Sequence, residues 1–506
     1  MFKISIIQFF IHSKVFANSS LWNLRTKHRH YKMQNINRRK FIQQSTLAGM
    51  GLLIQTRGFA QEFPSVRVSA DKRNFNSSAI EATISRMKTQ IKDPELAWLF
   101  ENCFPNTLDT TVHFKAKGDR PDTFVITGDI HAMWLRDSTA QVTPYLSLMK
   151  EDAALQQLIA GVINRQTECI LIDPYANAFN DGAGKSEWLS DHTDMKPELH
   201  ERKWELDSLC YTVRLAYNYW KLTNDTSVFD EKWLKSAQSI IATCREQQRY
   251  KSVGKYRFGR TTSWSTDTVP GNGLGNVTKP NGLIHSIFRP SDDATVYPFL
   301  IPANLFAVVS FRQIAEIATK VYKNTGFAKE CKDFANEVEA AIKKHAIITH
   351  PKFGKIYAME VDGFGNCLLQ DDANVPNLMS LPYLGAVKTS DPIYQNTRRF
   401  VLSDSNPYYF KGKAAEGVGS PHTLVNQIWH LSIIMRTMTS TDDQEILQQL
   451  KFLKNTHAKT GFMHESFDKD DATKFTRKWF AWANTLFGEM MLKLAKERPH
   501  LLKNVL

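Results

Sequence analysis

The stretch "LDSLCYTVRLAYNYWKLT", residues 206–223, carries the clearest structural pattern in the chain. Its apolar side chains recur every three or four residues, for example at Leu206, Leu209 and Val213. That interval matches the turn of an α-helix, so apolar side chains would lie on one face and polar ones on the other. The stretch therefore predicts an α-helix with one buried face.

The same helical spacing recurs along the rest of the chain. It is present over residues 78–104, 302–325, 329–347, 423–440 and 482–497. Alternation typical of strands is weak and brief, as at residues 355–361, and there is no glycine-rich phosphate loop or short-period repeat. Six helical segments with so little strand signal predict an all-α fold.

Long polar and aromatic loops separate the predicted helices. They cover residues 173–198, 259–298, 366–383, 404–423 and 456–482. Loops of this length in a compact domain are usually functional. They combine carboxylates with aromatic rings, which suits a sugar: the rings stack on its apolar face, and charged groups bond its hydroxyls. The loops therefore favour a carbohydrate ligand.

The positive charge of the chain is concentrated near its start. The 506 residues carry a net charge of +13. Residues 1–60 hold ten of the 64 Lys and Arg and none of the 51 Asp and Glu, which leaves 54 basic and 51 acidic side chains in the rest. A nearly neutral body gives no electrostatic reason to expect a nucleic-acid partner.

Residues 1–60 resemble a bacterial twin-arginine export signal. The paired arginines Arg38 and Arg39 precede a modest apolar run, and a small-residue cleavage site ends at Ala60. Met33 is an alternative start for the chain. We expect the twin-arginine machinery to export the protein to the periplasm, with a basic disordered tail as the alternative interpretation.

The remaining sequence predicts a polar linker over residues 61–80 and one domain over residues 81–506. The apolar run at residues 47–54 is too short to cross a bilayer, and no other segment comes close. No stable membrane span is therefore expected.

The cysteines and acidic pairs do not predict a metal site. Six cysteines are scattered without a C-x-x-C pair, which argues against zinc and thioredoxin-like sites and favours buried thiols, with one disulfide as the alternative. The aspartate pairs at 292–293, 371–372 and 470–471 lack the ligand spacing of a calcium loop. Neither a metal nor another cofactor is expected.

Two loops carry carboxyls that suit hydrolysis of a glycosidic bond, which needs one acid and one base or nucleophile. In "RPSDDATVYP", Asp292 and Asp293 are adjacent. Because a nearby acid disfavours a second negative charge, the pKa of one of the two would be raised, as a general acid requires. In "TGFMHESFDKDD", Glu465 stands between His464 and an aromatic residue, which suits a partly buried base. The alternatives are a helix cap at the first site and a solvated acid at the second.

A third candidate is "TGDIHAMWLRDSTAQVTPYL", residues 127–146. Trp134, Arg136 and Asp137 stand where a loop becomes a helix-like run. Arg136 would donate to sugar hydroxyls, Asp137 would accept from them, and Trp134 would form a wall. An Arg–Asp ion pair that holds a loop, with the indole in the core, is the alternative.

Five motifs together resemble glycoside hydrolase family 125 over residues 80–500. They are, in order, "TGDIHAMWLRDSTAQV", "ELDSLCY", "RPSDDATVYPFLIPANLF", "DDANVPNLMSLPYLG" and "GFMHESFD". The resemblance implies an (α/α)6 barrel and an exo-acting α-1,6-mannosidase that inverts the anomeric configuration without a metal. The single predicted domain would then be catalytic.

The resemblance also implies roles for individual residues. Asp292 would be the general acid, with Asp293 as the alternative, and Glu465 the general base. The residues expected to bind substrate are Trp134, Arg136, Asp137, Asp207, His285, Arg289, Asp293, Asp372, Asn374 and His464.

Some of these assignments keep local alternatives. Asp207 would otherwise cap a helix, and Asp372 and Asn374 would otherwise form an Asx turn. Trp479 and Trp482 would pack either a sugar subsite or a helix core. The charge run at 468–478 is predicted to be solvated surface.

The expected activity is removal of terminal mannose from mannan or N-glycan fragments. One alternative is another inverting α-glycosidase on the same barrel, specific for instance for glucosides. A second is a carbohydrate-binding protein that has lost catalysis, although the presence of both Asp292 and Glu465 argues against it.

Overall fold

A computed structural model describes residues 63–115 and 120–506. The predicted signal, its cleavage point and the first two residues of the predicted linker lie outside the described residues. No helix in the described part of the chain is long and apolar enough to cross a membrane.

Helices form most of the regular structure. They are α1 (Ser78–Gln90), α2 (Pro94–Cys103), α3 (Asn106–Thr110), α4 (Leu135–Val142), α5 (Ala153–Ile172), α6 (Leu206–Thr223), α7 (Glu231–Glu246), α8 (Pro270–Gly273, a single turn), α9 (Ile301–Lys320), α10 (Thr325–His345), α11 (Pro392–Val401), α12 (His430–Thr439), α13 (Asp443–Thr456) and α14 (Ala481–Glu497). Short 3-10 turns cover Ala70–Lys72, Thr143–Leu148 and Leu501–Lys503.

The strands are two to four residues long. They are β1 (Val112–Lys115), β2 (Asp122–Val125), β3 (Met133–Trp134), β4 (Ala178–Phe179), β5 (Leu199–Glu201), β6 (Phe299–Leu300), β7 (Ile347–His350), β8 (Gly354–Tyr357), β9 (Glu360–Val361), β10 (Cys367–Leu368), β11 (Tyr409–Lys411), β12 (Glu416–Val418), β13 (Gln427–Trp429) and β14 (Ser466–Asp468). They pair in small antiparallel sheets, β1–β2, β3–β4–β5, β6–β9–β10, β7–β8, β11–β12 and β13–β14.

The helices form two layers. Within the inner layer α4 packs against α6 and α14, α6 packs against α9, and α12 packs against α14. Turns at residues 376–385 bridge the same layer, because Tyr383 accepts a hydrogen bond from Arg214 on α6 and donates one to Glu489 on α14. Helices α5, α7, α10 and α13 pack outside. The architecture is the α/α barrel expected from the sequence.

Burial explains which helices are inner and which are outer. All eight residues of α4 are buried, and most of α9 is buried as well. Helix α10 buries only one stripe of apolar residues and exposes its lysines. A helix buried on all sides needs neighbours all round it, whereas a one-sided helix can face water.

Helix caps differ between the two layers in a way that positions the site. Outer helices α5, α7, α10 and α13 begin at Asp or Asn side chains that accept backbone N–H bonds. The residues that precede α4, α6, α12 and α14 are Trp134, Glu205, Trp429 and Phe480, and none of their side chains caps its helix. These side chains are left available for other contacts at the amino ends of the inner helices.

Two local predictions need correction. The helical pattern at 423–440 begins too early, because residues 427–429 form β13 and the helix starts at His430. The disulfide alternative is wrong: all six cysteines, which lie in the described residues, are free thiols, and all except the half-buried Cys367 are buried.

Candidate functional site

A cavity of about 370 Å³ opens at the amino ends of α4, α12 and α14. Its lining includes Trp134, Arg136, Asp137, Asp292, Asn374 and Glu465. It continues into an outer cavity of about 1010 Å³, which shares Trp134, Asp292 and Glu465 with the inner one. The structure thus brings the two predicted catalytic carboxyls and the predicted terminal-sugar residues to one place.

Arg136 forms the centre of the acid-rich side of the cavity. Its side chain is buried, and its Nη1 donates to Glu205 Oε2 at 2.5 Å and to Asp207 Oδ2 at 3.3 Å. Its Nη2 donates to Asp292 Oδ1 at 3.1 Å, and Asp137 Oδ2 lies 3.6 Å from its Nε. Four carboxyls therefore surround one guanidinium group.

This excess of buried carboxyls over cations raises the pKa of three of the carboxyls around Arg136. Burial raises the pKa of Asp137 to about 6 and that of Asp207 to about 6, although Arg136 opposes both shifts. Burial raises the pKa of Glu205 further, well above its ordinary value. One guanidinium cannot balance four ionised carboxylates in a buried site, so protons are retained there.

Asp292 is held in a tight turn that directs it into the cavity. Its φ of 64° is left-handed, a conformation that costs a non-glycine residue energy and that clusters at functional sites. Its backbone N–H donates to the carbonyl of Arg289, and its own carbonyl accepts from Lys203 Nζ at 2.8 Å.

The carboxyl of Asp292 is surrounded by donors. Its Oδ1 accepts bonds from Trp134 Nε1 at 3.3 Å, Arg136 Nη2 at 3.1 Å and Asn177 Nδ2 at 3.3 Å. Burial raises the pKa of Asp292, but Arg136 and the hydrogen bond with Glu205 outweigh burial and lower it.

Asp293 is placed differently from its neighbour. It lines only the outer cavity, where it accepts a bond from Thr266 Oγ1 at 2.5 Å and contacts His422 Nδ1 at 3.2 Å. Burial lowers the pKa of His422, but the carboxylate of Asp293 outweighs burial and raises it to about 9. His422 is therefore a cation at neutral pH beside both cavities.

Glu465 stands on the other, acid-poor side. It precedes β14 and is 5% exposed, and its Oε2 accepts a bond from Thr476 Oγ1 at 2.9 Å. Arg477 Nη1 lies 3.5 Å from its Oε1, and Arg477 also donates to Asp129. The φ of Arg477 is 39°, so this side too contains a left-handed residue. One arginine and one hydroxyl are therefore the neighbours of the Glu465 carboxyl at this side of the cavity.

The outer cavity has an aromatic rim. Trp188 lies over the guanidinium of Arg260 at 3.6 Å, and Arg260 is itself held by Asp191. Trp264 lines the same cavity and is 46% exposed. An open indole beside a polar pocket is suited to stack on a sugar ring.

Besides Asp207, four predicted substrate contacts line neither cavity. His285 is buried, with its ring bonded to the carbonyl of Gln247 and to Thr278. Arg289 donates to Glu360 at 2.6 Å in a buried ion pair. Both side chains turn into the core, although they are neighbours in sequence of the proposed catalytic aspartate, and their contact with substrate stays a prediction.

The other two are Asp372 and His464. Asp372 accepts bonds from Ser291 and from the backbone of Asn374, which is the Asx-turn alternative, while Asn374 itself lines the inner cavity. His464 stacks on Phe475 with ring centroids 3.8 Å apart and lines neither cavity. It packs behind Glu465 instead of contacting the cavity.

Asp207, the tryptophans and the charge run also differ from the sequence interpretation. Asp207 neither caps α6 nor lines a cavity, because it pairs with Arg136. Trp482 lines the inner cavity, whereas Trp479 lines neither. The run 468–478 is not solvated throughout, since Thr476 and Arg477 contact Glu465.

Several residues in or beside the cavities were missed from the sequence. Glu205, Asn177, His422 and Arg477 all contact a catalytic candidate or its partner. Glu205 has a sequence signal, since it stands directly before an apolar helical pattern in the "WELDS" stretch. Asn177, His422 and Arg477 lie in loops without a local pattern, and only the fold brings them together.

No group of three or more His, Cys, Asp or Glu within residues 63–115 and 120–506 is arranged to hold a metal ion.

Comparisons with known proteins agree on one family. The model of the metal-independent α-mannosidases, GH125, matches residues 93–492. The meiotically up-regulated gene 157 protein of Schizosaccharomyces pombe is 43% identical over 461 residues, which is 87% of this chain and 90% of that protein.

A solved structure from Streptococcus pneumoniae is similar as well. It is described as a metal-independent α-mannosidase in a non-productive complex with α-1,6-mannobiose. It is 42% identical, has a TM-score of 0.81, and the match covers 84% of this chain and all of that one.

Proposed function

The chain belongs to glycoside hydrolase family 125, the metal-independent α-mannosidases, and on that premise we propose that it is an inverting exo-α-1,6-mannosidase. The proposed substrates are mannan or N-glycan fragments with a terminal mannose. The observation that carries the proposal is one cavity that holds Asp292, Glu465 and the Trp134–Arg136–Asp137 cluster together.

The placement of the carboxyls supports their proposed roles. Asp292 lines both the inner and outer cavities, as an acid at the bond between two sugars should. It would protonate the glycosidic oxygen while Glu465 takes a proton from the attacking water. Asp293 lines the outer cavity alone and is bonded to Thr266 and His422, so Asp292 is the better acid.

The shape of the site supports exo action. The inner cavity is small, and Arg136, Trp429 and Trp482 form part of its wall. A terminal mannose would fill it, with Arg136 donating to hydroxyls and Asp137 accepting from them. The rest of the glycan would then extend into the outer cavity.

Linkage preference is proposed from the relative. The Streptococcus pneumoniae structure contains α-1,6-mannobiose, and its sequence matches this chain at 42% identity. A pocket of the same family with the same cluster is therefore expected to accept the same disaccharide.

Proton NMR of α-1,6-, α-1,3- and α-1,2-mannobiose with purified protein and EDTA tests the proposal. We expect early release of β-mannose from the 1,6 isomer alone, because inversion converts an α-linkage to a β-product. Early α-mannose would exclude inversion, and loss of activity in EDTA would exclude metal independence. Cleavage of glucosides in place of mannosides would support the alternative α-glycosidase.

We also propose that the twin-arginine pathway exports the protein to the periplasm. Arg38, Arg39 and the small residues before the site at Ala60 support this. Changing both arginines to lysine is expected to retain the uncut protein in the cytoplasm, as detected by fractionation and amino-terminal sequencing. Unchanged export would exclude the pathway.

A further inference from the structure

A general acid must carry a proton before the reaction starts, yet Asp292 is surrounded by groups that favour its ionised form. Trp134, Arg136 and Asn177 all donate to its Oδ1. The proton that the proposed mechanism needs must therefore be held close by.

Glu205 is the group best placed to hold that proton. It is buried before α6, and it shares two donors with Asp292. Arg136 donates to both carboxyls, and Asn177 Nδ2 donates to Glu205 Oε1 at 3.4 Å and to Asp292 Oδ1 at 3.3 Å. These shared donors place the two carboxyls side by side in a buried site where four carboxyls surround one guanidinium, and such crowding favours one retained proton on the pair.

The charges around the pair decide where that proton rests. They are Arg136 and Asp137 on α4, Asp207 on α6, Glu201 and Lys203 ahead of α6, and His422 and Glu465 on the facing loops. Arg136, Lys203 and His422 favour a carboxylate at Asp292, whereas Glu205 has Arg136 as its nearest cation. In the free enzyme the proton therefore rests on Glu205.

We propose that Glu205 is a positioning residue that supplies the catalytic proton, so that the Glu205–Asp292 pair, and not Asp292 alone, is the general acid. The inference rests on the proposed mannosidase function. Before reaction the pair holds one proton. As the bond between C1 and the glycosidic oxygen breaks, its electrons move to that oxygen, and the pair passes its proton there through Asp292.

The remaining steps balance this transfer. Water attacks C1 and gives its proton to Glu465, so the products are mannose and the shortened glycan. Both carboxyls of the pair are then ionised, a state that Arg136 and Asn177 stabilise, and the proton on Glu465 leaves to solvent while the pair takes one up.

Replacement of Glu205 by glutamine tests the inference by comparing a substrate whose leaving group needs a proton with one whose leaving group does not. The change Glu205→Gln keeps the shape and the bond from Arg136 to an oxygen but removes the shared proton. We expect kcat/KM on α-1,6-mannobiose to fall about 100-fold or more, within the usual contribution of acid catalysis. On 2,4-dinitrophenyl α-mannoside, whose leaving group needs no protonation, we expect a loss of less than about 10-fold.

The pH profile supplies a second readout. Without Glu205, Asp292 loses its proton more readily, so the basic limb of kcat/KM on mannobiose should move to lower pH. Glu205→Asp, which restores an acid, should recover part of the activity on mannobiose.

The matched control is Glu445→Gln, which removes a carboxylate bonded to Arg398 and Arg436 away from both cavities. It should leave the ratio of the two substrates unchanged. Equal losses on both substrates in the Glu205→Gln variant, or no loss on either, would overturn the inference while the wild-type activity still supports the proposed function. A wild-type protein that hydrolyses neither mannoside would overturn both.

Discussion

The two carboxyls of the cavity stand in contrasting surroundings. Asp292 belongs to a buried cluster in which Glu205 and other acids share one guanidinium, that of Arg136. Glu465 has no second acid bonded to it among the described residues, and Thr476 and Arg477 contact it instead. Buried acids that crowd one cation retain protons. The difference assigns proton donation to the first side and proton acceptance to the second.

The largest expected effect distinguishes the Asp292 side of the cavity from the Glu465 side. It compares how strongly the loss of activity in each variant depends on the leaving group of the substrate. Glu465→Gln should lose about 1000-fold in kcat on both mannobiose and dinitrophenyl mannoside, because water activation is needed for either. Asp292→Asn should lose a similar factor on mannobiose but much less on the dinitrophenyl substrate. Steady-state kinetics with both substrates measures this, and equal profiles for the two variants would contradict the assignment.

The next effect tests the charge balance of the acid-rich side. Arg136→Met should lower the free energy of unfolding by about 3–5 kcal/mol at pH 7, because it leaves buried carboxylates without their cation. Asp137 and Asp207 have pKa values of about 6, so the loss should shrink at pH 4–5, where both are protonated.

Urea unfolding at pH 7 and pH 4.5 measures this difference. Arg165→Met is the control, because Arg165 pairs with the half-exposed Asp122 and should contribute about 1 kcal/mol or less. Equal losses of unfolding free energy in the two variants at pH 7 would show that the stability of the cluster does not depend on the charge of Arg136.

A smaller effect concerns the outer cavity, which both sides share. Trp264→Ala should lower kcat/KM for α-1,6-linked mannotriose about 5-fold and leave mannobiose nearly unchanged, since stacking contributes about 1 kcal/mol. Tyr250→Ala, which removes an exposed ring outside both cavities, is the control. An equal loss on both substrates would place the indole against the leaving mannose itself.

The smallest effect is the pH dependence of the contact between His422 and Asp293. The pKa of His422 is raised to about 9, so its stabilising contribution is complete below pH 6.5 and is lost as the pH rises through about 9. The gap in Tm between wild type and His422→Asn should therefore be largest at pH 6 and close by pH 10 in thermal scans. A gap that widens with pH would reverse the proposed sign. The effect should be modest because the His422 side chain is 39% exposed.

Much of the fold was predictable because helices are local. The pattern at 206–223 coincides with α6. Those at 302–325 and 482–497 begin one residue after the first residue of α9 and of α14, and they end five residues beyond α9 and at the last residue of α14. The prediction failed at 423–429, where Ile428 and Trp429 are buried in β13 but Leu424 and Val425 are exposed in the turn before it. Apolar spacing reports burial, and a short strand buries side chains as a helix does.

The site was predictable where a motif places its own residues. Trp134, Arg136 and Asp137 lie within four positions and enter one cavity because α4 begins between them. His285 and Arg289 line neither cavity, because closeness in sequence to Asp292 does not decide which side of a loop faces the cavity.

The sequence by itself determined the helical fold, the family and the two catalytic carboxyl candidates, since these depend on local spacing and on motifs in order. Only the tertiary structure decided the partners: Glu205 and Asn177 beside Asp292, and Arg477 beside Glu465. Those partners are separated by 12 to 115 positions along the chain from the carboxyls beside which they lie. Because proton affinity depends on distances in space, the division into acid and base becomes visible only once the barrel brings the loops together.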